Sequence, residues 1–384
     1  MEIRKLKKEN YDELINLFNT VFSRKNKRNM NFENELPKMC VKDDEHMGKH
    51  IGVFEGDKMC AALGIYPLPT MIGDENLLFS TVGNVATLPE FEGRGYMNKM
   101  MIAAMEELTC INADASRLGG NRQRYNRFGY ENAGTLYKFS FTEYNRVKCF
   151  PDFKDDIEFV KIKKDDHEAL QYTLDLHNKG KIHVIRSSDF GYRDVFASLT
   201  AWRNTAYVIN KAGKRIGYLS VSPTLETIAE IHTDTPEHLP DAVCAWQKEC
   251  GENVTISFAP YEYKEMQPFY RICPEMTIAM PSHFKICNWE KVIGALMKIK
   301  ASYTELYDGE FILGIKDYGS IMMRSKGNVT ECERTSAPAD FEVDHLSATR
   351  LLLSPYPCIC DGNGSALLSS WCPLPLSWNL QDRV

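Results

Sequence analysis

The stretch Val82-Gly83-Asn84-Val85-Ala86-Thr87-Leu88-Pro89-Glu90-Phe91-Glu92-Gly93-Arg94-Gly95-Tyr96-Met97 decides how this chain is read. A strand-like apolar run reaches Leu88, passes through Pro89–Glu92, and enters a turn carrying two glycines. A helix is predicted next, over Asn98–Leu108. Met97, Met100, Met101, Ala104, Met105 and Leu108 recur there at spacings of three and four, which places them on one buried face. The first N–H groups of a helix have no intrahelical partner and carry partial positive charge, so such a terminus can receive an anion. A glycine turn before a helix is also an ordinary connection, and the turn alone does not specify a phosphate.

A second stretch lies further along: Leu118-Gly119-Gly120-Asn121-Arg122-Gln123-Arg124-Tyr125-Asn126-Arg127-Phe128-Gly129-Tyr130-Glu131-Asn132-Ala133-Gly134. It predicts a short helix bearing Tyr125, a left-handed cap at Gly129, and a strand beginning at Tyr130. Tyr125 is read either as a half-buried aromatic with its hydroxyl on the backbone, or as a phenol held beside a leaving group. Arg122 and Arg124 are read as meeting phosphates or as solvating the helix.

Together the two stretches resemble the GNAT superfamily of acetyl-CoA-dependent N-acetyltransferases. In that superfamily the turn after the fourth strand cradles the CoA pyrophosphate, and a Tyr in the pattern Tyr-x-x-x-Gly-aromatic lies beside the thioester sulfur. The usual turn reads Arg/Gln-x-x-Gly-x-Gly/Ala. Here its first place is Glu92 and its last is Met97, a bulky residue also seen in the Eis-type (enhanced intracellular survival) branch. The resemblance implies acetyl-CoA as co-substrate and no metal. It implies a cofactor site at Val85, Ala86, Thr87, Gly93, Arg94, Gly95, Tyr96, Met97, Asn98, Gly120 and Asn121, with Tyr125 as the acid that protonates the departing thiolate. In Eis-type enzymes the C-terminal carboxylate reaches into the first domain as base, which by resemblance falls to Val384. Asp382 and a water relay remain alternatives.

The expected fold class is α/β (α+β): tandem GNAT-like domains followed by a small sterol-carrier-protein-like α+β domain. The expected boundaries are 1–141 for the catalytic GNAT domain, 142–282 for a second GNAT-like domain, and 283–384 for the last, whose tail reaches the active site. From Ile157 the strand–helix–strand order of the first domain repeats. The strand Thr227–His232 is followed by Thr233-Asp234-Thr235-Pro236-Glu237, with no glycine turn, so this second copy is read as lacking a cofactor site. Near the N-terminus, Asn10 is read as a helix cap. The polar stretch Ser23–Asn34 is read as a loop or a solvated helix face. In the terminal stretch, Leu374, Leu376, Trp378 and Leu380 call for burial.

Composition narrows the partners. At 384 residues the chain exceeds one such domain. A net charge of −6 with no long basic block argues against nucleic acid. No apolar run approaches the roughly 18–20 residues that span a bilayer, and the polar N-terminus lacks a signal-peptide core. A cytoplasmic location without membrane association is expected. Of twelve cysteines only Cys358 and Cys360 stand close, with Cys372 beyond, and the spacing is not that of a paired zinc motif. The function expected is acetyl transfer to a primary amine of a small cationic substrate, polyamine or aminoglycoside-like, by direct attack without a covalent enzyme intermediate. A non-catalytic ligand-binding protein on the same scaffold and an acetyltransferase for protein N-termini or lysines are the alternatives. By resemblance the chain is expected to form a homo-oligomer.

Overall fold

The computed structural model describes residues 1–188, 192–273, 275–356 and 366–383. Alternating and β-branched segments form strands β1 (Glu2–Lys5), β2 (His50–Glu55), β3 (Lys58–Ile72), β4 (Glu75–Thr87), β5 (Ala115–Leu118) and β6 (Glu131–Ala133). Positive φ at Gly56 and Gly73 closes the two hairpins that join β2, β3 and β4. The sheet runs β1-β2-β3-β4-β5, then the strand Ser282–Ile286, then β6. Its pairs are antiparallel except β4 with β5.

Two helices flank this sheet. Tyr11–Asn26 buries Leu14, Leu17 and Phe18, and Tyr96–Cys110 buries Met100, Met101, Ala104 and Leu108. The first helix continues past Ser23 and ends at Lys27, in the left-handed region at φ 51. The polar segment after it hides an anchor: Phe32 is 1 % exposed and lies 5.2 Å from Phe18 and 4.9 Å from Phe22, ring to ring. Burying such a ring contributes about 1.5–3 kcal/mol, which outweighs the polar character of its neighbours. Asn10 occupies the cap position without capping the helix, because its side chain turns back to accept from the Lys7 N–H at 3.1 Å.

Contacts divide the chain into two compact units. One comprises Met1–Ala133 with Ser282–Leu374, the other Gly134–Pro281 with Pro375–Arg383. The first completes its sheet with a strand from outside its main run, whereas the second builds its three-stranded sheet within its own. In the first, Ser282–Ile286 lies between β5 and β6. In the second, Leu136–Phe141 lies between Val254–Phe258 and Met276–Ala279. Leu136–Phe141 thus sits in the second unit, although the sequence reading put it at the end of the first domain. The first unit also holds the helix Trp289–Ala301 and a four-stranded sheet ordered Val329–Thr335, Gly319–Lys326, Gly309–Ile315, Phe341–Val343. The second unit holds another, ordered Ile228–Thr233, Lys214–Val221, Thr205–Lys211, Ile157–Lys161. Among the described residues no helix is long and apolar enough to cross a membrane.

Candidate functional site

The centre of the site is the place where β4 leaves β5. Their parallel ladder runs from Phe79↔Ala115 to Val82↔Leu118 and stops, while β4 continues to Thr87. On the other side, β3 pairs Gly64 with Gly83 and Ala62 with Ala86, so Asn84 and Val85 together face the single residue Leu63. This is a bulge, and it carries Asn84 at φ 55. Among the described residues the β5-facing edge of β4 has no ladder partner beyond Val82, so the backbone groups of Val85, Ala86 and Thr87 that face that side are available.

The turn after β4 is held from below. Gly93 at φ 80 and Gly95 at φ 77 take left-handed conformations, and a Cβ on either would meet nothing within 4 Å. Gly95 precedes the Tyr96–Cys110 helix and supplies no side-chain cap, and the first turn holds no acidic residue. Tyr96 turns its ring into the core and donates its hydroxyl to Glu55. Arg94 donates to both Glu55 oxygens at 3.1 Å and stacks 4.8 Å over the Phe91 ring. Glu92, the departure from the usual motif, is exposed, with its carboxylate 3.7 Å from Arg24. Tyr96, Met97 and Asn98 therefore present backbone N–H groups at the helix start, Met97 and Asn98 being half-buried.

Tyr125 closes the other side. Asn121 accepts from the Gln123 N–H at 3.0 Å and caps the helix Arg122–Tyr125. Gly129 at φ 88 ends the turn that follows. Gly120, at φ 126, lies against the phenol ring, where a Cβ would come within 3.2 Å of Tyr125 Cε2. The ring is 7 % exposed and belongs to the cluster that includes Tyr96 and Met100, with Val85 and Met97 packed on it. Its hydroxyl makes no hydrogen bond with any described residue, and burial raises its pKa. Two anchors fix this loop. Tyr130 donates to Ser116 Oγ at 2.7 Å, which donates to the Ser80 carbonyl at 2.9 Å. Arg122 and Arg350 both donate to the buried Glu131. Burial alone would raise the Glu131 carboxyl, yet the two guanidiniums hold it below the usual range. Arg122 is thus a structural residue, pairing with a carboxylate rather than merely solvating its helix.

Val384 lies outside the described residues, as do Cys358 and Cys360. Pro375–Arg383 is firmly seated in the second unit, where Leu376 and Trp378 are buried; Leu374, in the first unit, is buried too. Gln381 Oε1 accepts from Asn204 and Ser220, each at 2.9 Å, and its amide donates to the Ser198 carbonyl. Asp382 accepts from Arg186 at 3.0 Å, and Arg186 is also bidentate to Glu230 at 2.8 and 2.9 Å. Tyr218 donates to the same Glu230. Asp382 therefore serves a buried charge network. His177, Glu230 and His232 bring possible metal-ligand atoms within 4.8 Å of one another. However, His177 already spends one ring nitrogen on Glu230 at 3.0 Å and the other on the Val184 carbonyl at 2.8 Å. A cation placed there would also face the Arg186 guanidinium, so the group is an ion-pair core.

Sequence reasoning missed Asn84, Tyr66 and His50. Asn84 Nδ2 donates to Tyr66 Oη at 2.8 Å, and Tyr66 Oη lies 3.0 Å from His50 Nε2. The signal available was Gly83-Asn84 inside a strand, a pair that marks a bulge because both residues tolerate positive φ.

Residues 2–133 match the acetyltransferase (GNAT) domain model. The chain therefore carries an acetyltransferase domain of the GNAT type, and by class it is an acetyltransferase. Solved structures extend the likeness of fold to nearly the whole length. A GCN5-related N-acetyltransferase from Kribbella flavida is 14 % identical, with 97 % of this chain and 95 % of that one covered and a TM-score of 0.65. A conserved protein of unknown function from Enterococcus faecalis V583 is 15 % identical over 98 % and 97 %, at 0.68. Eis1 from Mycobacterium abscessus is 12 % identical over 99 % and 98 %, at 0.63. At such identities the likeness is one of fold. No curated protein matches the chain by sequence.

Proposed function

We propose that this chain moves an acetyl group from acetyl-CoA to a primary amine of a small cationic substrate. The observation that carries the reading is the Tyr125 hydroxyl, bonded to no described residue and open to solvent at the tip of a buried ring, in one cluster with Val85 and Met97 and beside a β4 edge left open past Val82. The open space over Gly93 and Gly95 and the uncapped helix start fit a pyrophosphate, with the N–H groups of Gly95, Tyr96, Met97 and Asn98 as donors. Gly120 and Asn121 line the Tyr125 side. When bound, acetyl-CoA supplies an activated thioester. Backbone N–H groups of Val85–Thr87 stabilise negative charge developing on the carbonyl oxygen. The ammonium first yields a proton to a carboxylate, which the Eis-type resemblance assigns to Val384, since Asp382 is engaged by Arg186. The neutral nitrogen attacks, the C–N bond forms, the C–S bond breaks, and the thiolate takes the Tyr125 proton. The acylated nitrogen sheds its second proton to solvent, from which the Tyr125 phenol is restored. Burial keeps that phenol protonated until the thiolate leaves. The net charge of −6 supports a cationic acceptor. The sheet of residues 309–343 with its flanking helices supports a sterol-carrier-like reading of the C-terminal segment.

The test is thiol release from acetyl-CoA over a panel of polyamines, aminoglycosides and lysine peptides, with Tyr125→Phe and a variant lacking Val384. Loss of the acid lowers kcat about 100-fold, at the low end of the general-acid range because a thiolate leaves readily. No turnover with any amine would overturn the reading. Normal turnover without Val384 would remove that residue alone.

A further inference from the structure

Asn84 is a polar residue in the interior of a strand, 8 % exposed, and nothing in the reaction above uses its side chain. The way its amide faces is set by a chain of hydrogen bonds that ends on a backbone group. His50 Nδ1 lies 3.1 Å from the His46 carbonyl, which can only accept, so Nδ1 carries the proton. His50 Nε2 is then the acceptor and receives the Tyr66 hydroxyl proton at 3.0 Å. Tyr66 Oη, its proton committed, accepts from Asn84 Nδ2 at 2.8 Å. The Asn84 amide is thereby locked with its nitrogen toward Tyr66 and its oxygen away. That Oδ1 accepts nothing from any described residue, yet it is not among the buried polar atoms sealed from solvent.

Two further features belong to the same device. Gly64 stands under the Tyr66 phenol, where a Cβ would fall 2.1 Å from both Cζ and Oη, so only glycine admits the ring there. Tyr66 and His50 are 1 % and 2 % exposed, which removes water as a competing partner. An unpaired acceptor is thus held rigidly at the first residue of the bulge, immediately before Val85–Thr87.

We propose that Asn84 Oδ1 receives an N–H of the acceptor amine and aims its nitrogen at the acetyl carbon, with Tyr66 and His50 as positioning residues that fix the amide. This rests on the amine-acetylation reading. An amide oxygen has no useful proton affinity near neutral pH, so Asn84 orients the amine and leaves proton removal to a carboxylate.

The test compares wild type with Asn84→Gly, Asn84→Asp and Tyr66→Phe in amine kinetics, using acetyl-CoA affinity measured by calorimetry as the control. Glycine tolerates φ 55 and deletes only the side chain. Expected is a fall of about tenfold or more in kcat/KM for the amine in Asn84→Gly, as for a lost hydrogen bond to a charged or polarised donor, with acetyl-CoA affinity within about twofold of wild type. Asn84→Asp keeps an acceptor in place and recovers most of that loss. Tyr66→Phe shows a smaller loss in the same direction, again on the amine. Unchanged amine kinetics in Asn84→Gly, an equal loss in Asn84→Asp, or a loss confined to acetyl-CoA affinity overturns the proposal while amine acetylation by wild type stands. Failure of wild type to acetylate any amine overturns both.

Discussion

Replacing Asp382 by alanine removes one of the two carboxylates that hold the Arg186 guanidinium, whose side chain is 1 % exposed. In the wild type the Arg186 guanidinium is held by Glu230 and Asp382 together. Without Asp382 it loses one of its two carboxylate partners, and breaking a buried ion pair by removing one member typically costs about 3–5 kcal/mol. Glu230 still holds Arg186 in a bidentate pair, which places the expected cost near the lower end, about 3 kcal/mol. For a unit of this size each kcal/mol moves the melting temperature by about 2–4 °C, so calorimetry should record a fall of about 6–12 °C. Asp382→Asn keeps the acceptor oxygen and should fall between the two. A variant that melts like wild type but has lost all acetyl transfer would refute the account, because it would make Asp382 the base.

Gly64→Ala should destabilise the protein by about 1–3 kcal/mol, since the new methyl evicts Tyr66 from its bonds to Asn84 and His50; an unchanged urea midpoint would count against that packing. Burial pushes the His50 imidazole down to about 4 from 6.5. The unfolded chain therefore binds this proton first, and stability drops as pH falls from about 6.5 toward 4, then levels off for this group. Between about pH 7 and 4.5 wild type should lose about 2–3 kcal/mol more than His50→Gln, which carries no titrating ring. Parallel losses in urea titrations would show that His50 stays solvated.

The strand–turn–helix was legible because its determinants are local. Two glycines, the spacing of Met97 to Leu108, and the order strand before turn before helix all lie within one short window. Tyr125 was legible for the same reason, with Gly129 marking the end of its helix. The device at Asn84 was not. Its three members, His50, Tyr66 and Asn84, sit on three strands and become neighbours only through the registers His50↔Gly64 and Gly64↔Gly83. Arg350 was equally hidden, since its partner Glu131 lies 219 residues away. Asp382 showed how an acid near a chain end reads as reactive until the cation beside it is seen. The boundary near Phe141 was not legible either, because side-chain alternation carries no information about which sheet a strand such as Leu136–Phe141 will join.

That placement of strands has a consequence for how the protein is made. On the ribosome β5 and β6 emerge long before Ser282–Ile286, the strand that lies between them. At about 5–20 residues per second the wait is on the order of 10–30 s. Throughout it the inner edges of β5 and β6 stay unpaired, open to mispairing with any extended segment nearby. The 1–133 run of the first unit is thus translated first but its sheet can close only late, and a ribosome that stalls before residue 282 leaves it unfinished.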